Sequence, residues 1–577
     1  MTTNEIIKIL EEISLLLELK GENPFKARSY LVAARSLETL EEDLPDLVRE
    51  NRLDSVRGIG EALSKKIGEL VLTGRLAYYE NLKASIPPGH LEMLKIPGLG
   101  PKKINALYDR LGIETVGELE YACHENHLTE LPGFGRKTQD KILDGIKQIL
   151  RYRERRLYAE VIGEAEGLLN LLKGWKDVME VRLGGSLRRG YETVKDIDLL
   201  AATRDPGSLG DSFAALPVVE SIIAKGETKI SVALESGINC DLRLVTPEEF
   251  PYALHHFTGS REHNTAMRGR AKHRGLKMNE YGLFRDDQNI LCRNEEELFQ
   301  ALGLAYIPPE LRENMGEIEA AEKGTLPRLI EERDIRGLFH VHTQASDGAD
   351  SLETLAHHAR EKGFFYIGIS DHSRSAFYAG GLSVEAIRVQ HARIDELNAR
   401  DSSFRIFKGI ESDILPDGRL DYDDEVLARF DFVIAAVHSQ FGMSEADMTR
   451  RVVAALSNPF TTILAHPTGR LLLAREAYRL NIQEVIDVAA AEGKVLELNI
   501  NPQRLDLDWR NCILAKRKGI KIVLGPDIHN REAFDYLPLG VKIARKGWIE
   551  PDDCINTLSR EEAIRFLEQR RIRCPGA

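Results

Sequence analysis

His340 and His342 stand one residue apart in FHVHTQASDG, residues 339–348, on a segment that reads as a strand. Both imidazoles therefore leave one face, with Asp347 a short loop beyond. Taken alone, such a pair is most simply two satisfied core histidines. The arrangement recurs, however: YIGISDH ends at His372, RIFKGIE at Glu411, DFVIAAVH at His438, TTILAH at His466, and KIVLGPDIH at Asp527 and His529. Each polar residue closes an apolar run of the kind that forms a buried parallel strand. In a βα barrel the C-terminal strand ends gather on one face, which brings these nine residues together. Imidazole mixed with carboxylate suits Zn²⁺ or Mn²⁺ better than Mg²⁺, and so many donors imply two or three ions. The chemistry expected is metal-assisted hydrolysis of a phosphodiester. Asp350 competes with Asp347 for its place, while His357, His358 and His391 fall in helical patterns as surface or core residues.

A second constellation is made of acids. In GGSLRRGYETVKDIDLL, residues 184–200, Asp196 and Asp198 alternate on a strand and share a face. Asp241 lies in NCDLRLV, the second strand of a hairpin turning at Glu235–Ser236–Gly237, and a neighbouring strand is only about 4.8 Å away. Three converging carboxylates suit two Mg²⁺ (or Mn²⁺) ions, one activating a 3′-hydroxyl and one gripping a triphosphate. Gly185, Ser186 and Arg189 upstream form a loop fitted to phosphate oxygens.

The elements that must carry these groups change along the chain. Residues 1–50 are helical in pattern, with Ile6, Ile7, Leu10, Ile13, Leu16 and Leu17 on one face. A repeat follows: VRGIGEALSKKI (56–67), IPGLGPKKINAL (96–107) and LPGFGRKTQDKI (131–142). In each, two glycines flank an apolar anchor (Gly58 and Gly60, Gly98 and Gly100, Gly133 and Gly135), and lysines follow, Lys65, Lys66, Lys102, Lys103 and Lys137. Such a turn exposes backbone N–H groups at a helix start, where a phosphate oxygen fits. The three copies resemble helix-hairpin-helix elements, which bind DNA backbone without reading sequence. Strands and turns begin near residue 178, residues 315–336 read as a charged linker, and βα units run from there to the end.

GGS followed by D-x-D and a strand bearing a third Asp closely resembles the nucleotidyltransferases of the family X DNA polymerases. The likeness continues through HHFTGSREHNTAMRGRAKHRGLKMNEYGLF, residues 255–284. It implies Asp196, Asp198 and Asp241 as catalytic acids, and Gly185, Ser186 and Arg189 as the triphosphate grip. It further implies His256, Phe257, Thr258 and Gly259 along the nucleotide pocket, and Asn264 and Arg268 as minor-groove contacts. Two positions depart from the DNA polymerase beta pattern: His256 stands for a tyrosine and Arg261 for an aspartate, which bears on ribonucleotide discrimination and nucleotide affinity. Lys66 matches the family's Schiff-base lysine, whereas Ala62 replaces a phosphate-binding lysine. The strand-end donors resemble those of the polymerase-and-histidinol-phosphatase (PHP) domain, a distorted barrel of seven βα units with a trinuclear site.

The resemblance covers essentially the whole chain. The fold expected is multidomain: a helical 5′-phosphate-binding domain at 1–85, fingers with helix-hairpin-helix motifs at 86–150, an α+β nucleotidyltransferase palm at 151–245 and a thumb-like subdomain at 246–314. The linker at 315–336 and the PHP barrel at 337–577 complete it. The function implied is gap-filling DNA polymerisation in base excision repair, with a 3′–5′ exonuclease and an abasic-site endonuclease in the barrel. Other readings of the barrel are a metal-stabilised interaction module, or a phosphatase acting on small phosphoesters. Expected partners are gapped or primed DNA and deoxynucleoside triphosphates, for a monomer.

Composition sets limits on these readings. At 577 residues several cores are needed. The net charge of −13 argues against coating nucleic acid by bulk charge. Local charge differs: Arg261, Arg268, Arg270, Lys272, Arg274 and Lys277 face the single acid Glu262, either as a solvated helix face or as a phosphate-tracking surface. The six cysteines form no CxxC pair, so buried or idle thiols are expected rather than disulfides or a cysteine zinc site. No long apolar run or leader is apparent, so the expectation is a cytoplasmic protein without membrane contact.

Overall fold

The computed structural model describes residues 1–571 except 39, 41, 130, 151–153 and 287. The predicted junction at 150/151 and the end of the predicted barrel segment therefore lie partly outside the described residues. The chain divides into two compact units, Met1–Cys123 with Leu128–Ile149, and His124–His127 with Leu150–Ala577.

The first unit is helical. Helices Thr3–Leu19 and Pro24–Glu38 pack through Ile6, Leu10, Ile13 and Leu17 against Ala27, Tyr30 and Ala34. Thr2 caps the first helix in a reciprocal box with Glu5. The repeated turns share one geometry: Gly58, Gly98 and Gly133 have φ of 93, 86 and 86°. A Cβ is disfavoured there, which is why the repeat requires glycine. Ile59, Leu99 and Phe134 are the buried anchors, and helices Glu61–Thr73, Pro101–Leu111 and Arg136–Leu150 follow. Lys65, Lys102 and Lys137 stay exposed at the helix starts.

The second unit begins with a five-stranded sheet of β1 (Glu180–Leu183), β2 (Asp196–Ala202), β3 (Val219–Lys225), β4 (Lys229–Leu234) and β5 (Asn239–Val245). Their order is β1-β2-β5-β4-β3. β4 and β5 form the expected hairpin, with Gly237 at φ 84°. β5 also runs parallel to β2, placing Asp198 directly opposite Asp241. Helices Phe250–Thr258 and Arg261–His273 follow, then a small antiparallel sheet from Lys277 to Asn289.

The segment 315–336, read from the sequence as a linker, is packed instead. It holds helix Glu317–Lys323, with Ile318, Ala321, Leu329 and Ile330 buried. Its charge density hid this, because Glu317 is itself buried and accepts from His263 Nδ1 at 2.6 Å and the Asn314 N–H at 2.9 Å.

Seven parallel strands complete the unit: β6 (Gly337–Val341), β7 (Tyr366–Ile369), β8 (Arg405–Asp413), β9 (Phe432–Ala436), β10 (Ile463–Leu464), β11 (Val495–Asn499) and β12 (Ile522–Gly525). They lie in chain order, and a parallel bridge from Val341 to Ile528 brings the last strand's end back to the first. This nearly closed ring is the expected βα barrel. Both strand faces are buried, as parallel sheets require. One face, with Leu338, Ile367, Leu496 and Leu524, belongs to a cluster continuous with Ile197 and Leu242 of the first sheet. The alternate residues Phe339, Tyr366, Phe407, Phe432 and Val523 form a second.

Among the described residues no helix is long and apolar enough to cross a membrane. Cys123, Cys240, Cys292, Cys512 and Cys554 are free and buried, as expected, and Cys574 lies outside the described residues.

Two candidate metal centres

The first centre sits where β2 and β5 run side by side. Asp198 and Asp241 oppose one another and Asp196 shares their face. Burial and the charges of Asp196 and Asp241 push the Asp198 carboxyl up to about 6, and burial with Asp241 also raises Asp196. Repulsion of this kind fits a site for divalent cations. Asp241 is steadied by Lys229 Nζ at 2.6 Å and accepts from the Ser231 hydroxyl at 2.6 Å. The turn beneath is shaped around the acids: a Cβ on Gly185, whose φ is 55°, would stand 2.0 Å from Asp198 Oδ2. The Gly184 N–H donates to the Asp198 carbonyl at 2.8 Å. Ser186 is half-buried on the short helix that follows.

Arg189 donates from Nε to Glu313 at 2.9 Å and from a guanidinium NH₂ group to the Thr258 carbonyl at 2.5 Å, tying the turn to helix Phe250–Thr258. The Thr258 hydroxyl is buried and accepts from Arg188 at 2.6 Å, whereas Phe257 lies under the Arg243 guanidinium at 4.0 Å. His256 is half-buried, and its carbonyl accepts from Asn264 Nδ2 at 2.7 Å. The other amide atom of Asn264, Oδ1, is buried without a hydrogen-bond partner among the described residues. Arg268 is exposed one turn on, while Arg270 is spent on Glu322 at 2.8 Å and the Leu302 carbonyl at 2.9 Å. The basic run is thus part surface and part structural brace.

The second centre is at the mouth of the barrel, where all nine sequence-identified donors meet. Glu411 is the hub: His372 Nδ1 and His466 Nε2 approach it to 3.0 Å, and His340 Nε2 and His438 Nε2 to 3.3 Å. Asp527 Oδ1 is 3.2 Å from His340 Nε2 and 3.3 Å from His342 Nε2. Asp347 lies 3.3 Å from His372 Nε2 and 3.4 Å from His529 Nε2. Burial opposes their charge, yet the imidazoles hold Glu411, Asp347 and Asp527 well below the usual carboxylate range. Among the described residues both ring nitrogens of His342, His340 Nε2 and Glu411 Oε2 are buried without hydrogen-bond partners, and overlapping groups of three or four donors lie within 4.8 Å. Orphaned donors packed this way fit metal ions rather than a hydrogen-bonded core.

The first strand reaches this arrangement differently from the expected alternation. Its pairing shifts between Leu338 and Val341, His340 takes φ 67°, and His342 lies past the strand end. His466 and Asp527 also have positive φ, 27 and 56°. Such backbone costs about 1–3 kcal/mol per residue and persists where surroundings over-determine it. Asp347 takes the loop position because Asp371 gathers the Thr343 N–H at 2.7 Å and the Ser346 hydroxyl at 2.6 Å, shaping the loop. Asp350 turns away to Arg531 at 2.7 Å. His357 is a surface residue paired with Glu361, and His391 packs on Phe430.

Several contributors escaped the sequence reading. Glu497 accepts from His340 Nδ1 at 2.5 Å and Asp413 from His438 Nδ1 at 2.6 Å, fixing which nitrogen of each ring faces the cluster. The stretch His124–His127, which belongs to this second unit, adds His127 Nε2 at 3.3 Å from Asp347 and Glu125 against His529. Glu497 sits in the middle of β11, Asp413 ends β8 two residues past Glu411, where the sequence reading closes that strand, and His127 lies in a turn between helices.

Lys66 of the first unit is caged by two parallel tyrosines: it bonds the Tyr30 hydroxyl and stands 3.6 Å from the Tyr78 ring centre. Burial and the nearby charge of Lys26 lower its pKa.

Family models match four segments: a helix-hairpin-helix domain at 1–76, a SAM-like helix-hairpin-helix tandem at 91–148, the DNA polymerase beta thumb at 253–313 and the PHP domain at 339–501. The chain is 40% identical over 573 residues, 99% of its own length and 100% of the relative's, to the "DNA polymerase/3'-5' exonuclease PolX" of Bacillus subtilis. Proteins named "Probable phosphatase" from Caldicellulosiruptor bescii and Syntrophotalea carbinolica are 29% and 30% identical, over 40% of this chain and 94% of each relative.

Proposed function

The chain belongs to the family X DNA polymerases with a C-terminal PHP domain and is a DNA polymerase with 3′–5′ exonuclease activity, and on that premise we propose that the palm acids extend a primer and the barrel cluster trims it. Asp196, Asp198 and Asp241 would hold Mg²⁺ or Mn²⁺, and His340, His342, Asp347, His372, Glu411, His438, His466, Asp527 and His529 two or three Mn²⁺ or Zn²⁺ ions. Divalent ions at these places supply charge to phosphoryl oxygens and an activated oxygen nucleophile. The glycine turn Gly184–Ser186 leaves backbone room for a triphosphate beside Asp198, with Arg189 at its edge. His256, Phe257, Thr258 and Gly259 frame the nucleotide, and Asn264, with the exposed Arg268 one turn on, would meet the template–primer groove. The glycine turns and Lys65 and Lys102 carry the DNA backbone.

The setting proposed is short-gap filling in base excision repair by a cytoplasmic monomer, with abasic-site incision as a second use of the barrel. Lys66 would be the Schiff-base amine: its tyrosine cage and lowered pKa favour the neutral form that attacks a sugar aldehyde.

The observation that carries the two-site reading is the in-register Asp198–Asp241 pair and the donors around Glu411 within one chain. A three-variant experiment tests it. Asp241→Ala should abolish primer extension and spare manganese-dependent digestion of a labelled 3′ end. His342→Ala should do the reverse, and Lys66→Ala should lose only borohydride trapping on abasic DNA. Loss of both polymerase and nuclease from either of the first two would sink the scheme.

The phosphatases matched across the barrel favour a second reading, hydrolysis of small phosphoesters at the same ligands. Phosphate release from a phosphomonoester faster than trimming of an oligonucleotide would establish it.

A further inference from the structure

The barrel donors are buried: His342 is 0%, Glu411 1% and His466 1% exposed. A duplex cannot settle onto such a cluster, so the end of a single strand must enter it, and the last bases must be held apart from their partners. Something at the rim has to hold them.

The loop Ser373–Leu382 leaves directly from the donor His372. It is stiff. Ser373 bridges Leu382, and the Leu382 N–H returns to the His372 carbonyl at 2.9 Å. The Ser375 hydroxyl donates to Asp413 at 2.9 Å and its N–H to Asp421 at 2.6 Å. The Arg374 N–H donates to the Tyr422 hydroxyl at 3.1 Å. Gly381 lies so close to the loop's start that a Cβ there would stand 1.9 Å from the Ser373 carbonyl oxygen. At the tip of this braced loop Phe377 is 75% exposed. Tyr378 links it to the cluster, its ring 6.0 Å from Phe377 and 6.5 Å from His372.

A single exposed aromatic is ordinary on a protein surface. One presented by a rigid loop, two rings from a buried metal-binding cluster, is placed for a purpose. We propose that Phe377 is a substrate-binding residue: a base near the 3′ end of the strand stacks on its ring while the terminal phosphodiester lies at the cluster. The contact rests on the assignment of trimming to the barrel. Stacking on an aromatic ring tolerates every base, which suits an enzyme that must trim any end.

The test uses the full chain with Phe377→Ala and Phe377→Trp, on a 3′-labelled single-stranded oligonucleotide and on methyl 4-nitrophenyl phosphate, a diester too short to reach from the cluster to the loop tip. Loss of one stacked base should raise KM for the oligonucleotide about 5- to 150-fold in Phe377→Ala. Hydrolysis of the small diester should stay unchanged, and Phe377→Trp should restore KM. Wild-type KM in Phe377→Ala, or an equal loss on both substrates, would overturn the proposal. His342→Ala run alongside separates the two layers: if it still trims, the barrel assignment itself has failed.

Discussion

In the palm, three carboxylates stand half-buried, with Lys229 and the Ser231 hydroxyl as their company. In the barrel, three carboxylates are buried among six imidazoles, and Glu497 and Asp413 orient two of those rings from behind. The palm leaves its acids under mutual repulsion, visible in the raised Asp198, and keeps them accessible to a large substrate. The barrel neutralises its acids internally with imidazoles and buries them. One chain thus shows how like charges are held together by an open, ion-hungry site and by a closed, self-compensated one.

The comparison breaks most sharply at Glu411. Glu411→Gln removes the hub carboxylate and should lower 3′–5′ digestion by about three orders of magnitude, ~4 kcal/mol of transition-state stabilisation. Primer extension should stay near wild type. Metal content by mass spectrometry and trimming of a labelled end check it, and parallel loss of extension would mean the centres are not independent. A smaller effect follows from behind the ligands: Glu497→Gln should weaken metal binding to the barrel by about 10–100-fold, measured by titration against a chelator, with no change in extension. The smallest concerns protons. Asp198 must lose its proton to bind a cation, and its pKa is raised to about 6. Apparent metal affinity in primer extension should therefore hold above that pH and fall about tenfold per unit below it. An extension assay titrated with Mg²⁺ from pH 5 to 8 reads this directly, and a flat profile would contradict the repulsive palm.

Much of the molecule is legible in its sequence alone. The barrel donors announce themselves because an apolar run closed by one polar residue marks a buried strand opening onto a site, and repetition multiplies the signal. The palm acids are legible through D-x-D and a hairpin whose turn residues are plain. Choosing between Asp347 and Asp350 is not, since that depends on Asp371 folding the loop. The packed segment 315–336 is hidden because burial of Glu317 depends on His263, 54 residues away in sequence. Glu125 and His127 are invisible for a related reason: their neighbours in sequence belong to a helical repeat, and only the fold brings them beside Asp347 and His529.

Gly185 leads to a different kind of consequence. The Asp198 carboxylate fills the place that a side chain at residue 185 would take, and a single methyl group would meet it at 2.0 Å. Geneticists seeking to silence synthesis while leaving nucleolytic repair in place would ordinarily remove an acid. Here another allele adds one carbon atom: Gly185→Ala removes no charge, yet at φ 55° and 2.0 Å from Asp198 Oδ2 it must push that carboxylate or the turn out of position.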